Sequence, residues 1–338
     1  MNTPITSLEK SHFPVMLSEV IQTCHPVSGG KFIDCTFGAG GYSKELLKFP
    51  DTSVIAFDRD QASFNKAKKI KEKYPNKFLF FNEKFSNIDK AINKENKPDA
   101  IIFDLGLSMT QLLDYSRGFS FRSKDKIDMQ MGLSSISAED VINTLDEKKL
   151  KLIIKIFGDE KEASKIAKNI TIERKNKKIT TVSKLVEIIE RSKKKNYNKK
   201  INVCTKTFQA LRIFVNKETT ELIEGLIKAT KLVKFGGKII VVTFHSIEDK
   251  IVKYYFTNYS ANKSNPSRYL PNSNNNKTFL FESYRNKFLK PSSSEILKNP
   301  ASRSAKLRYA VRKKIEFFYP EELKEKFKTY LDLENAEA

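Results

Sequence analysis

An apolar segment, Lys31-Phe32-Ile33-Asp34-Cys35, runs into the turn Phe37-Gly38-Ala39-Gly40-Gly41-Tyr42-Ser43 and then into a helix-forming stretch. Glycines at such a junction let the backbone bend tightly and approach a ligand with no Cβ in the way. Asp58 follows Gly38 by 20 residues and ends a second apolar segment. A carboxylate placed there accepts the hydroxyl protons of a ribose. The combination points to an adenosine-bearing cofactor, either a dinucleotide or S-adenosyl-L-methionine (SAM). The structural alternative is a tight turn followed by a helix-capping Asp. No Walker-type phosphate loop occurs, which argues against an ATPase of that type. A further polar turn, Asp104-Leu105-Gly106-Leu107-Ser108, ends a fourth apolar segment. In open α/β sheets that position lies in the ligand crevice, where it can hold a planar substrate against the reactive end of a cofactor, and this favours SAM.

Positioning these groups requires a parallel sheet. Residues 31–35, 53–57, 77–81 and 100–104 read as four strands, with helices expected around 42–49, 60–73 and 86–93. A fifth strand is expected at Lys238–Thr243, and a half-buried edge strand around Leu307, Tyr309 and Val311. Between Asp104 and Lys238 lie 134 residues, far more than one crossover helix needs. Four stretches in that gap carry apolar residues at i, i+3, i+4 and i+7: Ala138 to Leu145, Leu150 to Phe157, Ala163 to Ile170 and Val182 to Ile189. They predict a small all-α insert with its own core. One further helix, about 205–230, is expected to return the chain to the sheet, while 191–200 and 258–277 read as exposed loops. The domain organisation follows: 1–133 and 205–338 form the two parts of a sheet domain, and 134–204 the helical insert.

The 338 residues include 62 Lys and Arg against 40 Asp and Glu, a net charge of +22. That excess favours a polyanionic partner, nucleic acid above all. Only 11 of the cations are Arg, so a codon bias toward Lys and Asn is the competing explanation. Cys24, Cys35 and Cys204 lack CxxC spacing, which argues against both disulfides and zinc. No metal is expected. No apolar run is long enough to span a bilayer, and the N-terminal residues have no signal-peptide pattern, so a cytoplasmic protein without a membrane partner is expected.

Eight motifs occur in a fixed order: Asp34 to Ser43, Phe57-Asp58-Arg59-Asp60, Asp104 to Ser108, Arg117-Gly118-Phe119-Ser120-Phe121-Arg122, Asp128-Met129-Gln130-Met131, Thr207-Phe208-Gln209-Ala210-Leu211-Arg212-Ile213, Phe244-His245-Ser246-Ile247-Glu248-Asp249 and Asn299 to Arg308. Together, over about His12 to Arg312, they resemble the RsmH (MraW) family of bacterial SAM-dependent methyltransferases. The resemblance implies a class I methyltransferase sheet, Rossmann-like, with an inserted all-α domain. It also implies a substrate: the N4 amino group of a cytidine in 16S rRNA, near the decoding P site of the small ribosomal subunit. A homodimer is compatible with it. SAM contacts are implied for Gly40, Gly41, Tyr42, Asp58, Phe85, Asp104 and Gln111. Four positions depart from the usual pattern: Tyr42 replaces His, Met109-Thr110 replaces Ser-Pro, Gln130 replaces Arg, and Lys206 stands where Arg is common.

Methyl transfer to an amino nitrogen is an in-line displacement whose main demands are alignment and exclusion of water. An acceptor for an N4 proton turns the lone pair toward the methyl group. Asp104 is the expected acceptor, with Asp128 and His245 as further candidates lining the pocket. The turn at His245 has a structural alternative, since Ser246 and Asp249 fit the N-cap and N3 positions of a capping box. Phe119 and Phe121, flanked by Arg117 and Arg122, could stack a flipped-out base, or could equally be core. Arg303, Arg308, Arg312 and the 191–200 loop are the expected phosphate contacts. A non-catalytic RNA-binding module and an NAD-dependent oxidoreductase are the competing function classes.

Overall fold

The structure is a computed structural model that describes residues 14–92, 97–193, 202–261, 278–284 and 287–336. After α1 (Leu17–Cys24), the chain alternates β1 (Gly30–Asp34), α2 (Gly41–Leu46), β2 (Thr52–Phe57), α3 (Phe64–Lys73), β3 (Phe78–Phe81) and β4 (Ala100–Asp104). A short α4 (Met109–Leu113) leads to the insert helices α5 (Ala138–Thr144), α6 (Glu147–Gly158), α7 (Ala163–Asn176) and α8 (Val182–Ser192). The chain returns through α9 (Thr205–Asn216) and α10 (Glu218–Leu232) to β5 (Lys238–Thr243) and α11 (Ser246–Asn258). It closes with α12 (Ser293–Lys298), β6 (Lys306–Val311), α13 (Glu321–Lys326) and α14 (Lys328–Asn335).

The strands form one sheet in the order β3-β2-β1-β4-β5-β6. Every pair is parallel except β5 with β6. The strand order, which runs outward from β1 to β3 on one side, switches to the other side between β1 and β4, the topological switch point where ligand crevices form. The carboxyl ends of β1, β2, β4 and β5 therefore bring the Gly38–Gly41 turn, Asp58, Asp104 and Phe244 to one edge.

Alternate strand residues face opposite sides of the sheet. Phe32, Val54, Ala56, Ile102 and Ile240 pack with α1, α2 and α3 on one face. Ile33, Phe57, Phe103, Ile239 and Val241 pack on the other. This second cluster runs without a break into the insert through Ile127, Met129 and Met131 to Ile142, Ile154 and Phe157. The expected separate core of the insert is thus corrected: α9 packs on α5 and α6 of the insert and on α10, and its apolar residues belong to the cluster that includes the sheet, so the two cores merge. The expected single helix at 205–230 is likewise two, because Lys217 adopts a left-handed φ of 49° and turns the chain between α9 and α10. Most of the expected cationic loop at 191–200 and of the expected loop at 258–277 falls at 194–201 and 262–277, outside the described residues. Among the described residues no helix is long and apolar enough to cross a membrane.

Candidate active site

A cavity of about 500 Å³ opens at the carboxyl edge of the sheet. Gly41, Tyr42, Asp58, Phe85, Asp104 and Gln111 line it. Gly40 does not; it makes the turn instead, with φ 75° and no room for a Cβ, which would lie 2.7 Å from the Phe37 ring and from Ile70. Asp58 organises the same turn. Its carboxylate accepts Gly38 N and Ser63 Oγ, each at 2.7 Å, and Asp60 N at 2.8 Å. Three of roughly four lone-pair sites are thereby used, which leaves one for a ligand hydroxyl. Burial pushes the Asp58 carboxyl above its ordinary range, a shift its three hydrogen bonds oppose.

Phe85 is half-buried and stands edge-on to Phe103, ring centroids 5.3 Å apart. Behind it is Gly225 of α10, where an added Cβ would fall 2.6 Å from the Phe85 ring. Gly225→Ala should favour the helix by about 1 kcal/mol in propensity, yet push Phe85 into the cavity. The expected outcome is cofactor affinity at least tenfold weaker by isothermal titration, with little loss of thermal stability.

Gln111 is committed at both ends: Nε2 donates to Asp60 Oδ2 at 2.6 Å and Oε1 accepts Ser108 N at 2.9 Å. One amide N–H remains for a ligand. The Tyr42 phenol donates to Val15 O and so ties the start of the described chain to the cavity wall. Position 42 therefore contributes a clasp as well as its main chain.

Asp104 differs from these groups. Its backbone N–H donates to Thr36 Oγ1 at 2.7 Å, but its buried Oδ1 has no hydrogen-bond partner. Burial, and then repulsion from Asp34, hold its carboxyl well above the ordinary range, a shift that the neighbouring Tyr42 hydroxyl opposes. Asp34, at the end of β1, is itself raised to about 6 by burial although Ser43 and Thr36 hydrogen-bond to it. Glu218, Glu221 and Glu248 add further carboxylates to the wall. An acceptor-rich cavity with an orphaned carboxylate oxygen fits a cationic ligand such as a sulfonium that also carries an ammonium.

A model of the MraW methylase family matches residues 9–313. The chain belongs to that family. Among its relatives, ribosomal RNA small subunit methyltransferase H of Orientia tsutsugamushi (strain Ikeda) is 41% identical over 308 residues, covering 89% of this chain and 98% of the relative. The protein of the same name from Rickettsia akari (strain Hartford) is 42% identical over 305 residues, with 89% and 98% covered. A solved rRNA methylase from Streptococcus thermophilus aligns with TM-score 0.40 at 9% identity, covering 88% of this chain and 95% of that one. Membership makes SAM the cofactor and sets aside the oxidoreductase alternative. The sheet with a helical insertion is the expected class I architecture.

Several other residues of the methylase sit elsewhere than expected. Asp128 is half-buried in the loop before α5 and does not line the cavity. His245 is the N-cap of α11, so the capping box is one residue earlier than expected: Glu248 accepts Phe244 N at 2.8 Å and His245 N at 3.2 Å. Its imidazole Nε2 lies 3.0 Å from Glu248 Oε1, which places Glu248, rather than His245, in the cavity wall. Glu218, His245 and Glu248 bring one ligand atom each within 4.8 Å of one another. Their carboxylates are already engaged, Glu218 by Arg212 and Glu248 by the two backbone amides.

The phosphate candidates divide by burial. Arg308 is 3% exposed, with Nε on Asp249 at 2.8 Å and Nη1 on the Tyr284 hydroxyl at 2.9 Å. Arg312 is 2% exposed and donates to the carbonyls of Thr230, Leu280, Lys313 and Ile315. Both are structural, a correction that alternation along an edge strand could not reveal, because loop 278–284 covers that strand. Arg117 holds Asp60 and the Gln130 carbonyl and lies over the buried Phe119 ring, so neither is available to RNA. Arg122 and Arg303 are exposed, and Phe121 is half-buried edge-on to Phe208.

Arg212, Glu218, Glu221 and Glu248 line the cavity without having been singled out by the sequence. Arg212 and Glu248 did sit inside recognised motifs. Their spacing carried no chemical signature because the partners come from different elements.

Proposed function

We propose that this methylase transfers a methyl group from SAM to the N4 amino group of a cytidine in 16S rRNA of the small ribosomal subunit, near the decoding P site. The names of its relatives support rRNA of the small subunit as substrate, and the net charge of +22 suits a polyanion. The observation that carries the chemistry is the unpartnered Oδ1 of Asp104 in the cavity wall.

When bound, SAM supplies an electrophilic methyl group whose sulfonium charge also favours ionised Asp104. Ionised Asp104 accepts a hydrogen bond from one N4–H and thereby turns the nitrogen lone pair toward the methyl donor. Asp104 would then take that same proton from the methylated nitrogen, which returns the nitrogen to neutrality. Phe85 and Leu222 cover the cavity on the side of α10 and exclude water. Arg122, Arg303 and Phe121 are the proposed RNA contacts among the residues first singled out.

The test is incubation with methyl-labelled SAM and small ribosomal subunits that lack the modification, followed by mass-spectrometric location of the label. Label on N4 of one cytidine is expected. Label on another base or another RNA would retain the methylase and overturn the target.

A further inference from the structure

Beside the residues implied in cofactor binding, the cavity wall carries a charged row that begins at one of them, Asp104, and continues through residues they leave unused. Arg212 on α9 forms a two-bond pair with Glu218 at the start of α10, Nε to Oε1 at 2.7 Å and Nη2 to Oε2 at 2.8 Å. Glu248 lies close enough to raise the Asp104 carboxyl and to be lowered by Arg212. The row therefore runs from Asp104 through Glu248 and Arg212 to Glu218. Each side chain of the Arg212–Glu218 pair is 13% exposed, and both line the cavity.

A guanidinium has five N–H donors. Glu218 takes two, and Nη1 makes no hydrogen bond to any described residue. A buried ion pair gives little net stability over an apolar pair of the same volume, so its position in a ligand cavity calls for a role there. Glu218 fixes the plane of the fork and leaves the Nη1 edge as a rigid pair of donors.

The geometry points to Arg212 as the residue that reads the target base: its free N–H groups donate to the ring acceptors N3 and O2 of the cytosine whose amino group is held by Asp104. This assignment rests on the proposed cytosine-N4 target. It supplies a discrimination that Asp104 alone cannot, because adenine also offers an amino group beside a ring-nitrogen acceptor but carries C2–H where cytosine has O2. Glu218 is a positioning residue that acts through Arg212.

The test is a two-by-two comparison of the wild-type chain and Arg212→Lys on subunits carrying cytidine or 3-deazacytidine at the target. Lysine keeps the charge and the partner Glu218 but has no fork. A hydrogen bond from a charged donor is worth a factor of about 10 to 150, so 3-deazacytidine should lower kcat/KM by about that factor in the wild type. In Arg212→Lys the additional drop should be less than about threefold, while SAM affinity by isothermal titration stays within about twofold. The double variant Arg212→Gln/Glu218→Gln, which removes the buried pair as a unit, should show the same insensitivity and covers the case in which the lysine variant folds poorly. If either folded variant retains the full wild-type penalty, Arg212 does not read N3 and the inference falls. Label on a base other than cytosine in the wild-type reaction would instead overturn the target on which it rests.

Discussion

Asp104→Asn is expected to yield a protein that is more heat-stable at pH 8 than the wild type and slower by about 10²- to 10³-fold at saturating SAM. The two effects have one origin. Burial and the Asp34 carboxylate raise the folded pKa of Asp104 above its unfolded value, so the folded state binds the extra proton. Its stabilising contribution is complete below the unfolded pKa and is lost as pH rises through the folded one. Asparagine is neutral at every pH and abolishes that loss, which raises the melting temperature in alkaline buffer and leaves it close to wild type in acid. On the proposed cytosine-N4 target, the same substitution removes the charged acceptor for the amino proton. Wild-type turnover should therefore climb with pH as Asp104 ionises, and the variant should give a flatter profile. A variant as active as the wild type at saturating SAM would transfer the acceptor role elsewhere, and one less stable at pH 8 would contradict the charge argument.

What the sequence revealed depended on how local the signal was. Strand periodicity, the glycine turn and the 134-residue gap are all contiguous patterns, and from them the strands of a parallel sheet, its ligand edge and the helical insert were legible. The glycine turn, Asp58 and Asp104 were legible as candidates for the same reason, since each lies at or just beyond the end of a strand. The charged side of the cavity was not. Arg212, Glu218 and Glu248 meet only because Lys217 turns the chain between α9 and α10 and because α11 starts just beyond the end of β5. Arginines misled where tertiary cover decides their role: Arg308 and Arg312 alternate with apolar residues as exposed cations would, yet Asp249, Tyr284 and four backbone carbonyls consume their donors. The same applies to Arg117, whose donors are spent on Asp60 and Gln130. Charge at the level of the whole chain thus says nothing about which cations are free.

The largest stability effect is expected at a residue with no charge and no place in the chemistry. Asn216, 1% exposed at the end of α9, accepts Met131 N at 2.8 Å and Ser134 Oγ at 2.7 Å on Oδ1. Its Nδ2 donates to Met129 O at 2.8 Å, and its carbonyl accepts Arg59 Nη1 at 2.8 Å. One side chain thus fastens the loop 129–134 to the helix that carries Arg212. Asn216→Ala would strand a buried carbonyl and a buried N–H, each costing about 1–3 kcal/mol, for a total of about 2–6 kcal/mol. For a chain of 338 residues that corresponds to a fall in melting temperature of about 3–8 °C. The loop also supplies the Gln130 carbonyl that holds Arg117, which in turn holds Asp60 beside Gln111. Loosening it should weaken cofactor binding about tenfold, the equivalent of one net hydrogen bond. Asn216→Asp separates the two halves of the anchor. It keeps the acceptor for Met131 and Ser134 but turns the donor facing the Met129 carbonyl into a second acceptor. Repulsion there should leave Asn216→Asp as unstable as the alanine variant, whereas a stability close to wild type would mean that the Oδ1 bonds alone hold the loop.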